Sequence, residues 1–181
     1  MSPEQIAVCV QEVGVGFMFA PAHHGAMKHA VGPRRELGLR TLFNVLGPLT
    51  NPAGVKRQVL GVYDAALCEP LAEALVRLGS EHALVLHSED GLDEISIAAT
   101  TQGYECKAGK ISPIEIDPAA LGYAHDSLDG LQVDTAEHSA YLIRSALGGD
   151  DDAVSIKARS MIMLNAGAGI YAVSYTHLTL P

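Results

Sequence analysis

Apolar and polar positions along the chain switch repeatedly between a helical and a strand-like period, and that pattern predicts an α/β protein. Ser2-Pro3-Glu4-Gln5 reads as a helix start, with Ser2 as N-cap, Pro3 at the first helical position and Gln5 placed to close a capping box. This helix is predicted to run to Val13 and stop at Gly14, and Val15 to Phe19 then reads as a short buried strand. Ala22 to Ala30 is predicted helical, and Pro33 opens another short helix near Arg34–Arg40. Prolines and a glycine punctuate the stretch from Phe43 to Pro52, which reads as loop. Gln58 to Tyr63 is a strand; Leu67, Leu71, Leu75 and Leu78 recur at helical spacing, with Gly79 as the stop; Ala83 to His87 is the next strand. A strand, a crossover helix and a second strand imply a parallel pair. Residues 98–116 read as an antiparallel excursion turning near Ala108-Gly109. Asp134-Thr135-Ala136-Glu137 reads as a second capping box, opening a helix to Leu147 ahead of Gly148-Gly149, and Asp150–Asp152 put negative charge where the dipole of a last helix favours it.

Composition narrows the class. The chain has 181 residues, 48% of them hydrophobic and 18% charged, enough for a buried core and no case for disorder. Its net charge of −9 argues against a general nucleic-acid binder. No apolar run approaches a membrane span and no signal peptide is visible, so the expected location is cytoplasmic. Cys9, Cys68 and Cys106 are odd in number and form no CxxC pair, so they read as reduced, packed thiols. The charge is unevenly spread: Lys28, Arg34, Arg35, Arg40, Lys56 and Arg57 face one acid, Glu36, within residues 28–57, while the rest of the chain is strongly acidic. A local positive field on an acidic protein suits a small anionic ligand, unless it is only a solvated basic face.

Two constellations carry candidate chemistry. The loop Ser88–Ser96 follows the end of a predicted parallel strand, where open α/β sheets bind ligands. It holds Glu89, Asp90, Asp93 and Glu94, hard oxygen donors that suit Mg²⁺, which takes one or two carboxylates and shares its other positions with water and phosphates. Alone, such a loop reads as an acidic surface turn, because adjacent Asp-Glu pairs are common. The second constellation is His23-His24-Gly25-Ala26-Met27-Lys28 with Arg34 and Arg40. A guanidinium is a planar fork matched to a carboxylate, and His24 offers a donor to an anion or a face to an aromatic ring. Neither histidine has zinc-site company.

These constellations, with the intervening "RRELGLRTLFNVLGPLTNPA" of Arg34–Ala53 and Asp90-Gly91-Leu92-Asp93-Glu94, closely resemble the anthranilate phosphoribosyltransferase family of tryptophan biosynthesis, from about residue 3 to Ala172. The resemblance implies transfer of 5-phosphoribosyl from phosphoribosyl pyrophosphate to the amino group of anthranilate, with release of pyrophosphate and with Mg²⁺ as cofactor. It further implies that Arg34 holds the anthranilate carboxylate, that His24 and Pro48 line the same aromatic site, and that Asp93 and Glu94 belong to the Mg²⁺–pyrophosphate site. Breaking the C1–pyrophosphate bond develops negative charge on the leaving group and oxocarbenium character on the ribose. A metal clamp and a positioned arylamine answer both, so no general base is assigned. The implied fold is part of a nucleoside phosphorylase/phosphoribosyltransferase catalytic domain: a mainly parallel central sheet flanked by helices, with the N-terminal helical domain absent.

The chain also departs from the family. The GTGGD-type phosphoribosyl pyrophosphate loop and the NIST-like and KHGN-like segments are missing, so the chain is expected to be a fragment truncated at both ends and inactive alone, whereas full-length relatives are expected to be homodimers. Residues 1–172 are expected to be the partial catalytic domain. The tail 173–181, VSYTHLTLP, resembles a translated transposon-end sequencing adaptor and is expected to be non-native. Two other readings are weighed. A pyrimidine nucleoside phosphorylase of the same fold would use phosphate as nucleophile, against the intact Arg34 motif and Asp93-Glu94. A non-catalytic nucleic-acid-binding relative would need a basic surface that the acidic remainder of the chain does not offer.

Overall fold

The computed structural model describes residues 1–19, 43–51 and 53–173. Two compact units, Met1–Val55 and Lys56–Pro181, divide the chain. The helices expected at Ala22–Ala30 and near Arg34–Arg40, and the tail 174–181, lie outside the described residues.

In the first unit, helix α1 (Pro3–Val13) begins and ends as expected. The Gln5 N–H donates to Ser2 Oγ at 3.3 Å and the Ser2 N–H to Gln5 Oε1 at 2.7 Å, closing the capping box. Gly14, at φ 85°, ends the helix in the left-handed conformation. The segment Val15–Phe19 is not the buried strand expected: it pairs with nothing among the described residues, and Val15 and Phe17 are 68% and 76% exposed. A short apolar run carries no period that separates a strand from an extended segment laid over a helix, and here Gly16 packs on Ile6 and Val10. The expected loop at Phe43–Pro52 is also corrected, because Phe43–Leu49 forms helix α2 with Pro48 inside it. In so short a helix most N–H groups have no intrahelical acceptor, so Pro48 costs at most one bond. The Thr50 N–H and hydroxyl, 3.0 and 2.9 Å from the Leu46 carbonyl, close the end.

The second unit is a mixed sheet of order β1-β2-β3-β4: β1 Arg57–Gly61, β2 His82–Ser88, β3 Thr101–Lys107 and β4 Lys110–Ile116. Strands β1 and β2 run parallel, joined by a 3-10 turn (Ala65–Leu67) and helix α3 (Cys68–Arg77). The helix ends in a Schellman motif, with Gly79 N–H on the Val76 carbonyl at 3.0 Å and Ser80 N–H on the Leu75 carbonyl at 2.9 Å. The parallel β1–β2 pair and the antiparallel excursion over residues 98–116 are met as expected, but with β2–β3 and β3–β4 both antiparallel the described sheet is mixed and not mainly parallel. Only β1–β2 has a helical crossover, and a two-residue hairpin at Ala108 (φ 49°) and Gly109 (φ 76°) can join antiparallel strands alone.

Strand β2 is buried on both faces. Ala83 and Val85 lie on the side of α3, where Cys106 Sγ reaches the Ala72 carbonyl at 3.3 Å. Leu84 and Leu86 face the other way, in a core with Ile95, Ile97, Leu164 and Ala168. The last two belong to α5 (Ala153–Ala172), which Asp152 caps through the N–H groups of Val154 and Ser155. Helix α4 (Ala136–Gly148) packs on α5. Its N-cap is Thr135, whose hydroxyl accepts from the His138 N–H at 3.1 Å, so the capping box expected from Asp134 to Glu137 is replaced by a simple cap one residue later.

Candidate active site

Because β1 and β2 are parallel, both end at one edge of the sheet, and the loop that leaves β2 there carries the four carboxylates. Gly91 (φ 90°) lets the loop turn back, with its N–H on the Ser88 carbonyl and the Ser88 N–H on the Leu92 carbonyl, each at 2.9 Å. Asp90 braces this turn. Its carboxylate accepts from the Ser96 hydroxyl at 2.5 Å and from the Leu92 N–H at 3.4 Å. Burial works against the Asp90 charge, but the Ser96 and Ser88 hydroxyls and backbone N–H groups outweigh it and hold its pKa below the ordinary value. Glu89 accepts from Gln102 Nε2 at 3.0 Å. Asp90 is thus committed to the loop itself, and Glu89 to a bond with β3.

Asp93 and Glu94 remain, both exposed, and no described residue gives either carboxylate a hydrogen bond or an ion pair. The backbone around them is nevertheless held on two sides. The Asp93 carbonyl lies against Gly61 at the end of β1, in space that any Cβ would fill. The next residue, Ile95, is 2% exposed; its N–H donates to Asn165 Oδ1 and its carbonyl accepts from Asn165 Nδ2, each at 2.9 Å. On one side the pair borders an apolar hollow of about 310 Å³ between Leu92, Leu131, Leu142 and Met161, and on the other a smaller one of about 230 Å³ beside Val59, Gly61 and Asn165. Desolvation at this boundary, and then the charge of Asp93, push the Glu94 carboxyl above its ordinary pKa. Two adjacent, repelling carboxylates with no cationic partner among the described residues gain by meeting a cation.

The donor set decides which cation fits. Among the described residues no three or more His, Cys, Asp or Glu side chains gather as a metal cage. An open pair of hard oxygens fits Mg²⁺, which keeps several waters or phosphate oxygens as its other ligands. Of the other expected site residues, Pro48 is half-buried in α2, while His24 and Arg34 lie outside the described residues. Asn165 and Gly61 were not among the candidates read from the sequence. Asn165 has no local signal beyond being a polar residue in the small-residue run Asn165–Gly169, and its partner is 70 residues away. Among the described residues no helix is long and apolar enough to cross a membrane.

Comparison with known proteins extends this picture. The family model described as "Glycosyl transferase family, a/b domain" matches residues 1–178. Anthranilate phosphoribosyltransferases are similar in sequence: that of Ectopseudomonas mendocina is 61% identical over 97% of this chain and 50% of its own length. That of Azotobacter vinelandii is 62% identical over 95% of this chain and 49% of its own length. A solved anthranilate phosphoribosyltransferase from Saccharomyces cerevisiae in complex with PRPP and Mg superposes with a TM-score of 0.79 at 26% identity, covering 98% of this chain and 50% of that one. The same yeast enzyme in complex with 4-fluoroanthranilate gives a TM-score of 0.72 at 29% identity over 89% and 46% of the two chains. The chain spans about half the length of the curated relatives it matches. With a family model covering nearly its whole length and an α/β sheet that superposes on solved relatives, the chain belongs to the glycosyl transferase family, as its α/β domain.

Proposed function

We propose that this chain supplies the acidic-pair half of an anthranilate phosphoribosyltransferase site. The observation that carries the reading is the Asp93–Glu94 pair, which no cation among the described residues partners and which is held at the end of the parallel strands. Its support comes from relatives named for that activity and from yeast structures solved with PRPP and Mg and with 4-fluoroanthranilate. In this reading Asp93 and Glu94 would hold Mg²⁺, an ion usually bound through one or two carboxylates with water and phosphate as its other ligands. When bound, the ion supplies charge neutralisation for a pyrophosphate leaving group.

The chain's own groups do the rest by placement. The Arg34 guanidinium pairs with the anthranilate carboxylate, and His24 and Pro48 wall the ring, so the arylamine nitrogen is presented to C1 of the ribose. An arylamine is nucleophilic as it stands, so the proposal assigns no base. The C1–oxygen bond to pyrophosphate breaks as the C1–nitrogen bond forms, and the ammonium proton leaves to solvent.

The test is a hybrid in which residues 1–172 replace the matching segment of the Azotobacter vinelandii relative. Mg²⁺-dependent loss of anthranilate fluorescence in the presence of phosphoribosyl pyrophosphate is expected. A folded hybrid that instead cleaves pyrimidine nucleosides with phosphate, or transfers nothing, overturns the proposal.

A further inference from the structure

The Asn165 side chain does for Ile95 what a neighbouring strand would do. Its amide oxygen accepts the Ile95 N–H and its amide nitrogen donates to the Ile95 carbonyl, both at 2.9 Å. The second N–H of that nitrogen goes to the Met161 carbonyl at 3.0 Å, so both amide protons and the oxygen are engaged and the group has one orientation. Asp lacks the donors, and Gln carries them one methylene further out. The helix that bears Asn165 is itself seated by the core, since Leu164 and Ala168 pack with Ile95 and Ile97. On the opposite side Gly61 admits the Asp93 carbonyl where any side chain would displace it. Asp93 and Glu94 therefore stand between a clasp at Ile95 and a floor at Gly61.

We propose that Asn165 is a positioning residue for the Asp93–Glu94 pair, fixing through the Ile95 backbone where the two carboxylates stand to receive a divalent cation. The inference rests on the metal role given to the pair under Proposed function. Groups that orient metal ligands without touching the metal typically govern affinity by one to two orders of magnitude, because a cation shared between short acidic side chains tolerates little displacement of either.

The experiment uses the full 181-residue chain and Mn²⁺ as a paramagnetic probe, followed by line broadening of the backbone amides flanking residues 93–96. In the parent, broadening is expected to be centred on this loop and to vanish in Glu94→Gln. Asn165→Ala and Asn165→Gln are expected to raise the apparent Mn²⁺ dissociation constant about tenfold. Gly61→Ala should do the same from the other side. Tyr171→Phe, which loosens the same helix near its end, should leave Mn²⁺ binding unchanged.

Parent-like Mn²⁺ affinity in folded Asn165 variants, with the Glu94→Gln control still negative, overturns the positioning role and leaves the metal role standing. No Glu94-dependent broadening in the parent overturns the metal role and the positioning role with it. Equal weakening by Tyr171→Phe shows that Asn165 acts through stability alone. The Gln variant keeps every donor and acceptor, so it decides the matter should Asn165→Ala fail to fold; if both fail, the clasp is structural and the proposal falls.

Discussion

His82 Nε2 lies 2.7 Å from Glu105 Oε1, at the edge of the sheet opposite the acidic loop. The same carboxylate oxygen accepts from the Tyr171 hydroxyl at 2.9 Å, and Lys107 Nζ stands 3.9 Å from it and 5.0 Å from the Tyr171 ring centre. The His82 and Tyr171 rings meet edge to face at 5.0 Å. Helix α5 is thus tied through Asn165 to the loop that carries the acidic pair, and through Tyr171 to the sheet at its far edge.

Tyr171→Phe should remove one charge-assisted hydrogen bond and lower unfolding stability by about 1.5 kcal/mol in urea titrations. The effect should also depend on pH. The hydrogen bond to Glu105, then desolvation and the Glu105 charge, raise the Tyr171 pKa above its ordinary value. A group whose pKa is raised by folding stabilises the fold below its unfolded pKa, about 10, and that contribution is lost as pH rises through the folded value. The parent should therefore lose stability above about pH 10 more steeply than Tyr171→Phe. Parallel alkaline profiles would remove Tyr171 from the network.

The three cysteines should separate by reactivity. Burial, and then the nearby Asp64 charge, push the Cys68 thiol up, and burial with Glu105 does the same for Cys106; both are buried, whereas Cys9 is half-buried on α1. A thiolate-specific disulfide reagent at pH 8 should modify one thiol quickly and all three only in denaturant. Mass spectrometry finding rapid label on Cys68 or Cys106 would contradict the packing described for α3 and β3.

Arg34→Ala in the hybrid enzyme should raise the KM for anthranilate far more than that for phosphoribosyl pyrophosphate, by an amount equivalent to roughly 1.5–3 kcal/mol. Equal effects on both substrates would take the carboxylate clamp away from Arg34 and turn attention to Arg40 or Lys28.

What could be read from the residues follows the range of the interactions involved. The Ser2–Gln5 box, the stop at Gly79 and the Ala108-Gly109 hairpin are local, and each is met where the residue pattern predicts it. Local reading failed where neighbours in space decide the outcome. Val15–Phe19 looked like buried strand from apolar content, yet no strand pairs with it among the described residues. Pro48 and Gly47 looked like helix breakers, but Thr50 closes α2 behind them. The four acids of the loop are alike in sequence, and only the hydrogen bonds from Ser96 and Gln102 show that Asp90 braces the turn and Glu89 meets β3, while Asp93 and Glu94 have no such partner among the described residues. Asn165 and Gly61 were invisible because their partners come from other elements.

The central claim is that Asp93 and Glu94 await a divalent cation, and thermal melting of the 181-residue chain with and without Mg²⁺ tests it most directly. Desolvation and the Asp93 charge raise the Glu94 pKa, so its favourable contribution is present below about pH 4.3 and is lost as pH rises through the folded value. At pH 7 in chelator the ionised pair therefore destabilises the fold, and Glu94→Gln should melt above the parent. Mg²⁺ should then stabilise the parent by roughly 1.4 kcal/mol at ten times its dissociation constant, and the variant hardly at all. A variant that melts below the parent in chelator, or an equal shift of both proteins by Mg²⁺, would contradict the account.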